Sequence, residues 1–156
     1  MTNHRSMVLA LDEACNFRDL GGYLGDSGRS VKSGVLYRSG VMAYFTEADQ
    51  RKIATLGINT ICDLRRSDEQ TKEPTLWPAD TKVQFVSWED EPDITGQGHL
   101  AWGSVQTPEY IREAMIAFYR VMPFWLENRV RGVFEQLRQG AVPLLFHCSA
   151  GKDRTG

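Results

Sequence analysis

The sequence predicts one α/β domain, residues 1–156, with a largely parallel central sheet flanked by helices. Short apolar runs of strand length, "NTICDLR" and "VPLLFHC", are separated by segments whose apolar residues recur with the helical period. The resulting order, strand, helix, strand, helices, strand, is that of crossover units rather than hairpins. A chain of 156 residues is also long enough to bury a single core. Sheets of this kind bind ligands beyond the carboxyl ends of their strands, and Cys148 lies just past one such end.

Taken in order, "NFRDLGGY" (Asn16 to Tyr23) leads into a glycine-rich stretch with Asp26-Ser27, which reads as turns. Val31 to Arg38 reads as a strand of a small hairpin. Thr46 and Asp49 match a capping box with Asp in place of Glu. Ile53 and Leu56 give the following helix an apolar side, and Gly57 suits its C′ position. "NTICDLR" is then a buried strand ending near Asp63, and Lys82 to Trp88 a second one. Between Glu89 and Val105 the periodicity is lost. Gly96, Gly98 and Gly103 surround Trp102 there, which predicts a long loop or lid. Thr107-Pro108 is a cap followed by an N1 proline, and Ile111, Ala114, Met115, Phe118 and Val121 keep the 3.6 period. Pro123 should break or restart that helix. Leu126, Val130, Val133, Phe134 and Leu137 carry the pattern on to Gly140, before the last strand.

Composition narrows the chemistry. The chain is 42% hydrophobic and 24% charged, with a formal net charge of −2 and no basic run, which argues against a nucleic-acid surface. Met7 to Ala10 is too short for a signal-peptide core or a membrane span, so the chain reads as cytoplasmic; a processed secreted form would have shed its signal. Cys15, Cys62 and Cys148 are too few for a disulfide framework, and no C-x-x-C or H-x-x-x-H cluster offers a metal site. No metal and no cofactor is expected.

The end of the chain, "LLFHCSAGKDRTG", carries the most chemistry. A phosphate ester repels nucleophiles because its oxygens are negative. A catalyst must neutralise that charge and supply a nucleophile that is already ionised. Cysteine serves when its pKa drops from ~8.5 towards ~3.5–7.5, as it does beside inward-pointing amides and a cation. Ser149, Ala150, Gly151, Lys152, Asp153 and Arg154 can supply such amides, and Arg154 adds a planar, permanently charged fork. The Thr155 hydroxyl is placed to donate to the sulfur. His147 suits ordering of the loop better than the role of a base.

"HCSAGKDRTG" resembles the phosphate-binding signature of the cysteine-dependent protein tyrosine phosphatase superfamily. It is closest in type to the bacterial tyrosine and dual-specificity branch with Gly-Lys-Asp-Arg in the loop. "NFRDLGG", "LYRSG" and "LGINTICDLR" fit that branch in the same order. The resemblance implies a metal-independent reaction in two steps. Cys148 attacks phosphorus, a general acid protonates the leaving oxygen, and water hydrolyses the phosphocysteine while Arg154 and the loop amides hold the phosphoryl oxygens. For the acid, Asp153 leads, Asp63 follows, and Asp90 and Asp93 come third; Asp63 could instead hold a loop arginine or amide. Lys152 implies tolerance of acidic substrates such as phosphoinositides, behind phosphotyrosine proteins. Arg18 and Asp19 could brace the loop or form a hairpin salt bridge; Arg38 and Arg65 could pair with Asp63 or line the pocket mouth. A redox partnership of Cys62 with Cys148 is a minor reading.

Relatives in this branch usually continue past the loop into a helix that faces the phosphate. A fragment, a second chain supplying the rest, or an inactive truncated form are the alternatives, with a fragment or cleaved product favoured. On that reading the isolated chain should bind phosphate poorly and expose an apolar face. Two other classes compete: a non-catalytic phosphate-binding module of the same fold, and a rhodanese-type sulfur transferase.

Overall fold

The computed structural model describes residues 11–89 and 107–156. The expected lid between Glu89 and Val105, with Asp90 and Asp93, lies outside the described residues from position 90 onward.

Five strands form one sheet: β1 (Arg18–Asp19), β2 (Leu36–Ser39), β3 (Thr60–Asp63), β4 (Gln84–Val86) and β5 (Leu144–His147). Their order is β1-β2-β5-β3-β4, and only the β1–β2 pairing is antiparallel. The last strand of the chain is therefore the middle strand of the sheet. It pairs with β2 through Leu36↔Leu144 and with β3 through Thr60↔Leu144, which brings Ser39, His147 and Asp63 level at one edge.

Side-chain alternation explains why these short apolar runs form strands. Tyr37, Ile61 and Leu145 point to one face, where they join Phe17, Met42, Phe45, Ile53 and Ile58. Cys62 and Leu144 point to the other face, where Leu64, Val133 and Cys148 complete a second cluster. A sheet covered on both faces requires near-continuous apolar strands, and all four residues of β3 are buried.

Helix α1 (Glu47–Ala54) begins at the expected cap. The Thr46 hydroxyl accepts from the Asp49 amide at 3.1 Å, and the Asp49 carboxylate accepts from the Thr46 amide at 3.2 Å. α2 (Ser67–Lys72) has no counterpart in the sequence reading; its six residues are all polar and none is buried, so no apolar period marks it. α3 (Pro108–Trp125) starts on the Thr107 cap with proline in its first turn. Pro123 does not break it. The ring forfeits only its own amide bond, one turn from the end, and the junction falls at Leu126, which closes α3 and opens α4 (Glu127–Arg138). Phe124 and Phe134, on either side of that junction, are 76% and 67% exposed. Among the described residues no helix is long and apolar enough to cross a membrane.

The expected strand from Val31 to Arg38 is shorter and differently placed. Ser33 to Val35 form a turn, with Gly34 at φ +74°, so extended structure begins only at Leu36. The antiparallel partner of β2 is the "RD" of the "NFRDLGG" stretch.

Candidate functional site

β5 ends at His147, and the chain turns over the edge of the sheet as a loop from Cys148 to Thr155. The Cys148 thiol is 2% exposed, and the Gly151 amide donates to its Sγ at 3.2 Å. The reason this amide faces inward lies on the outside of the loop. The Ala150 carbonyl accepts from Asn16 Nδ2 at 2.8 Å, so the trans peptide turns the next N–H to the opposite side, onto the sulfur. Arg38 Nη2 holds the carbonyls of Gly151 and Lys152 at 2.7 and 3.1 Å, and the Val41 amide holds that of Ser149 at 2.7 Å. Four successive carbonyls are thus pulled outward, which leaves the amides that follow them facing away from those partners. Gly151 has φ +63°, and a Cβ there would stand 2.4 Å from the Gly40 nitrogen, so only glycine fits this close approach.

The Arg154 guanidinium folds back against the loop. Its Nη1 and Nη2 donate to Glu69 Oε2 and Oε1, both at 2.7 Å, and Nη2 also donates to Ser149 Oγ at 2.9 Å. Ser149 Oγ in turn donates to Glu69 Oε1 at 2.6 Å. The remaining lone pairs of Glu69 take the Arg66 amide at 3.0 Å, at the start of α2. Burial alone would push the Glu69 carboxyl up, but the bonds from Arg154 and Ser149 outweigh it and hold the group at about 2. Burial likewise disfavours the charged guanidinium, yet the Glu69 bonds and charge raise the Arg154 pKa above its ordinary value.

Beneath the loop lies a buried polar group. Arg65 is fully buried and clasps Asp63, with Nε to Oδ1 at 3.0 Å and Nη2 to Oδ2 at 2.7 Å; Nη1 donates to the Glu73 carbonyl at 2.8 Å. Asp63 therefore holds an arginine, Arg65, one of the two arrangements expected for it. His147, also fully buried, places Nε2 3.4 Å from Asp63 Oδ2 and Nδ1 3.4 Å from the Cys148 carbonyl. Burial dominates over the Asp63 charge and pushes the imidazole down to about 4. A neutral ring fits the role of a loop support.

This has a consequence for acid stability. Unfolded, the imidazole returns to its ordinary value near 6.5. Between about pH 6.5 and 4 the unfolded chain binds a proton that the folded chain refuses, so stability is full above that window and falls as pH drops through it. The expected loss is about 2 kcal/mol by pH 5 and about 3 kcal/mol once the pH has fallen through the folded value. Urea unfolding at pH 7 and pH 5 should show it, and His147→Gln should flatten the slope; an unchanged slope in the variant would assign it elsewhere.

The remaining expected residues fall as follows. Asp153 accepts a hydrogen bond from the Tyr119 hydroxyl of α3. Lys152 is exposed. The Thr155 hydroxyl is buried but has no hydrogen-bond partner among the described residues, so its expected bond to the sulfur is not made. Asp19 caps the turn at Gly21 and Gly34 rather than bracing the loop, and Arg18 donates to Asn16. Arg38 meets the loop carbonyls instead of Asp63. Sequence reasoning missed Glu69, Asn16 and Tyr119. Asn16 opens a stretch already singled out, and its φ of +58° marks a constrained position; Glu69 sits in a polar "RRSDEQ" run with no motif to flag it. Among the described residues no group of three or more His, Cys, Asp or Glu could hold a metal ion.

A mostly parallel sheet whose central strand delivers a cysteine and an arginine on one amide-lined loop defines a cysteine-dependent phosphatase architecture. Comparison with known proteins agrees: residues 9–156 match the tyrosine phosphatase family, and the chain belongs to it. A Cupriavidus necator protein with a provisional tyrosine-protein phosphatase name is 36% identical over 154 residues, which is 95% of this chain and 54% of that protein. A tyrosine-protein phosphatase of Nostoc commune is 28% identical over 81% of this chain and 42% of its own length. The triple specificity protein phosphatase PtpB of Mycobacterium tuberculosis is 28% identical over 96% of this chain and 60% of its own length. The chain thus spans about half the length of these curated relatives.

Proposed function

We propose that the protein hydrolyses phosphate monoesters of tyrosine through a phosphocysteine intermediate. The observation that carries this reading is the loop from Cys148 to Arg154, with an amide on the sulfur and the guanidinium fixed beside it. In this reading Cys148 attacks phosphorus in line and the P–O bond to the leaving group breaks. Asp153 gives its proton to the leaving oxygen. A water molecule then attacks the phosphocysteine, and the P–S bond breaks to release phosphate and restore the thiolate. Arg154 and the loop amides carry the phosphoryl charge throughout.

The tyrosine preference is supported by a cleft of about 250 Å³ that opens beside Arg154 and Glu69. Leu64, Phe118, Met122 and Trp125 line it, apolar walls suited to an aromatic ring next to a phosphate site. The printed names of the relatives point the same way. A second reading, activity on dually phosphorylated peptides or phosphoinositides, rests on the exposed Lys152 in the loop.

The test is hydrolysis of matched phosphotyrosine, phosphoserine and phosphothreonine peptides and of inositol phospholipids, with chelator present. Rapid acid quench with labelled substrate should trap one phosphate per chain. Faster turnover of phosphotyrosine with a trapped phosphocysteine is the expected result. Binding of the same peptides with no turnover would instead establish the phosphate-binding module.

A further inference from the structure

We propose that Tyr119 is a positioning residue that orients the Asp153 carboxyl towards the leaving group. The inference rests on the assignment of Asp153 as the general acid. Tyr119 lies on α3, far from the loop in sequence, and its hydroxyl donates to Asp153 Oδ1. The ring is steadied by an edge contact with Phe118, whose centroid is 5.8 Å away at 77°. The hydrogen bond to Asp153 also pushes the phenol above its ordinary value, so the tyrosine stays a donor across the neutral range.

A carboxyl group attached to a surface loop by one rotatable stem presents either oxygen to the substrate. Tyr119 removes that freedom, because it engages Oδ1 and so leaves only Oδ2 unengaged by the phenol. The bond therefore orients the acid.

Other charges surround Asp153 from several elements. Arg154 follows it in the chain and is engaged by Glu69 of α2. Glu127 and Arg131 of α4 line the same groove as Asp153 and pair with each other at 2.7 Å. Arg38 of β2 binds the neighbouring carbonyls, Lys152 precedes Asp153, and the Cys148 thiol lies on the inner side of the loop. All of these remain when only the phenolic oxygen is removed, so Tyr119→Phe isolates the one hydrogen bond.

Profiles of kcat and kcat/KM against pH, on aryl phosphates with acidic and with basic leaving groups, provide the test. Asp153→Asn comes first. Loss of the basic limb, with a steeper dependence on the leaving group, supports Asp153 as the acid; a retained limb overturns that assignment and this proposal with it. Given the loss, Tyr119→Phe should steepen the dependence of kcat on the leaving group in the same direction as Asp153→Asn, but by less. It should also slow turnover of the basic leaving group by roughly three- to tenfold at unchanged KM, a fraction of the 10²–10⁴ a general acid supplies. In the Asp153→Asn background Tyr119→Phe should add nothing. A Tyr119→Phe leaving-group dependence that superimposes on wild type, while Asp153→Asn has lost its limb, overturns the proposal and leaves the acid in place. Carbon-13 titration of the tyrosine rings reads the same contact without altering Tyr119: its high pKa should relax towards that of free tyrosine in Asp153→Asn, and no relaxation counts against the contact.

Discussion

Cys148→Ser is expected to lower turnover of an aryl phosphate by on the order of 10⁴–10⁶-fold while leaving binding of the same ester nearly intact. The thiol is replaced by a hydroxyl of similar size in a site where it is 2% exposed, so the loop has no steric reason to move. What changes is the nucleophile. A serine hydroxyl has no base beside it here: His147 is buried beneath the loop, turned to the Cys148 carbonyl and Asp63, and pushed down to about 4. A hydroxyl without a base stays protonated and attacks phosphorus poorly. The size of the loss follows the cost of removing a nucleophile from a site whose other parts are intact. Binding survives because the Gly151 amide and Arg154 are untouched. Calorimetric titration of the variant with a phosphotyrosine peptide, beside its steady-state rate, separates the two quantities. A variant that keeps more than about a hundredth of the wild-type rate would remove the thiol from the mechanism.

The parts of this molecule that were readable in its sequence are those that act locally. The Thr46 box and the Thr107-Pro108 start follow from neighbouring backbone chemistry and appear as expected; Gly57 is left-handed, but it stands two residues past the Thr55 cap rather than at C′. The strands "TICD" and "LLFH" were readable because both faces of the sheet are covered, which keeps their middles apolar and leaves polar residues only at their ends. The cysteine loop was readable because its residues are contiguous. What escaped is what the fold brings together from afar. Glu69 reaches Arg154 across 85 positions, Asn16 reaches Ala150 across 134, and Tyr119 reaches Asp153 across 34. None of these pairs has a spacing that a local rule can test. Pro123 misled for a related reason: the rule prices the broken bond, but the packing of Met122 and Leu126 in the interior decides where the helix ends.

Arg154→Lys is expected to lower kcat/KM by about 10²–10³-fold, although the formal charge is unchanged. The guanidinium uses Nη1 and Nη2 on the two oxygens of Glu69, and this bidentate contact fixes its plane against the loop. A phosphoryl group must be met by the remaining donors of that fixed plane together with the inward amides. Lysine offers one compact ammonium on a flexible stem, so it can satisfy Glu69 or the phosphate but cannot hold a plane for both. It also leaves Glu69, whose carboxyl is kept at about 2 by Arg154 and Ser149, partly unpaired in a half-buried place. That is a stability cost as well as a catalytic one. Glu69→Gln separates the contributions. It keeps the loop cation and its shape but substitutes an amide nitrogen for one acceptor of the fork, so it should lose a smaller factor, roughly tenfold, and mostly in kcat. If Arg154→Lys and Glu69→Gln fall by the same amount, the fixed plane accounts for the whole effect. If Arg154→Lys retains wild-type kcat/KM, a point charge suffices at this position, and the geometry of the Glu69 clasp has no part in turnover.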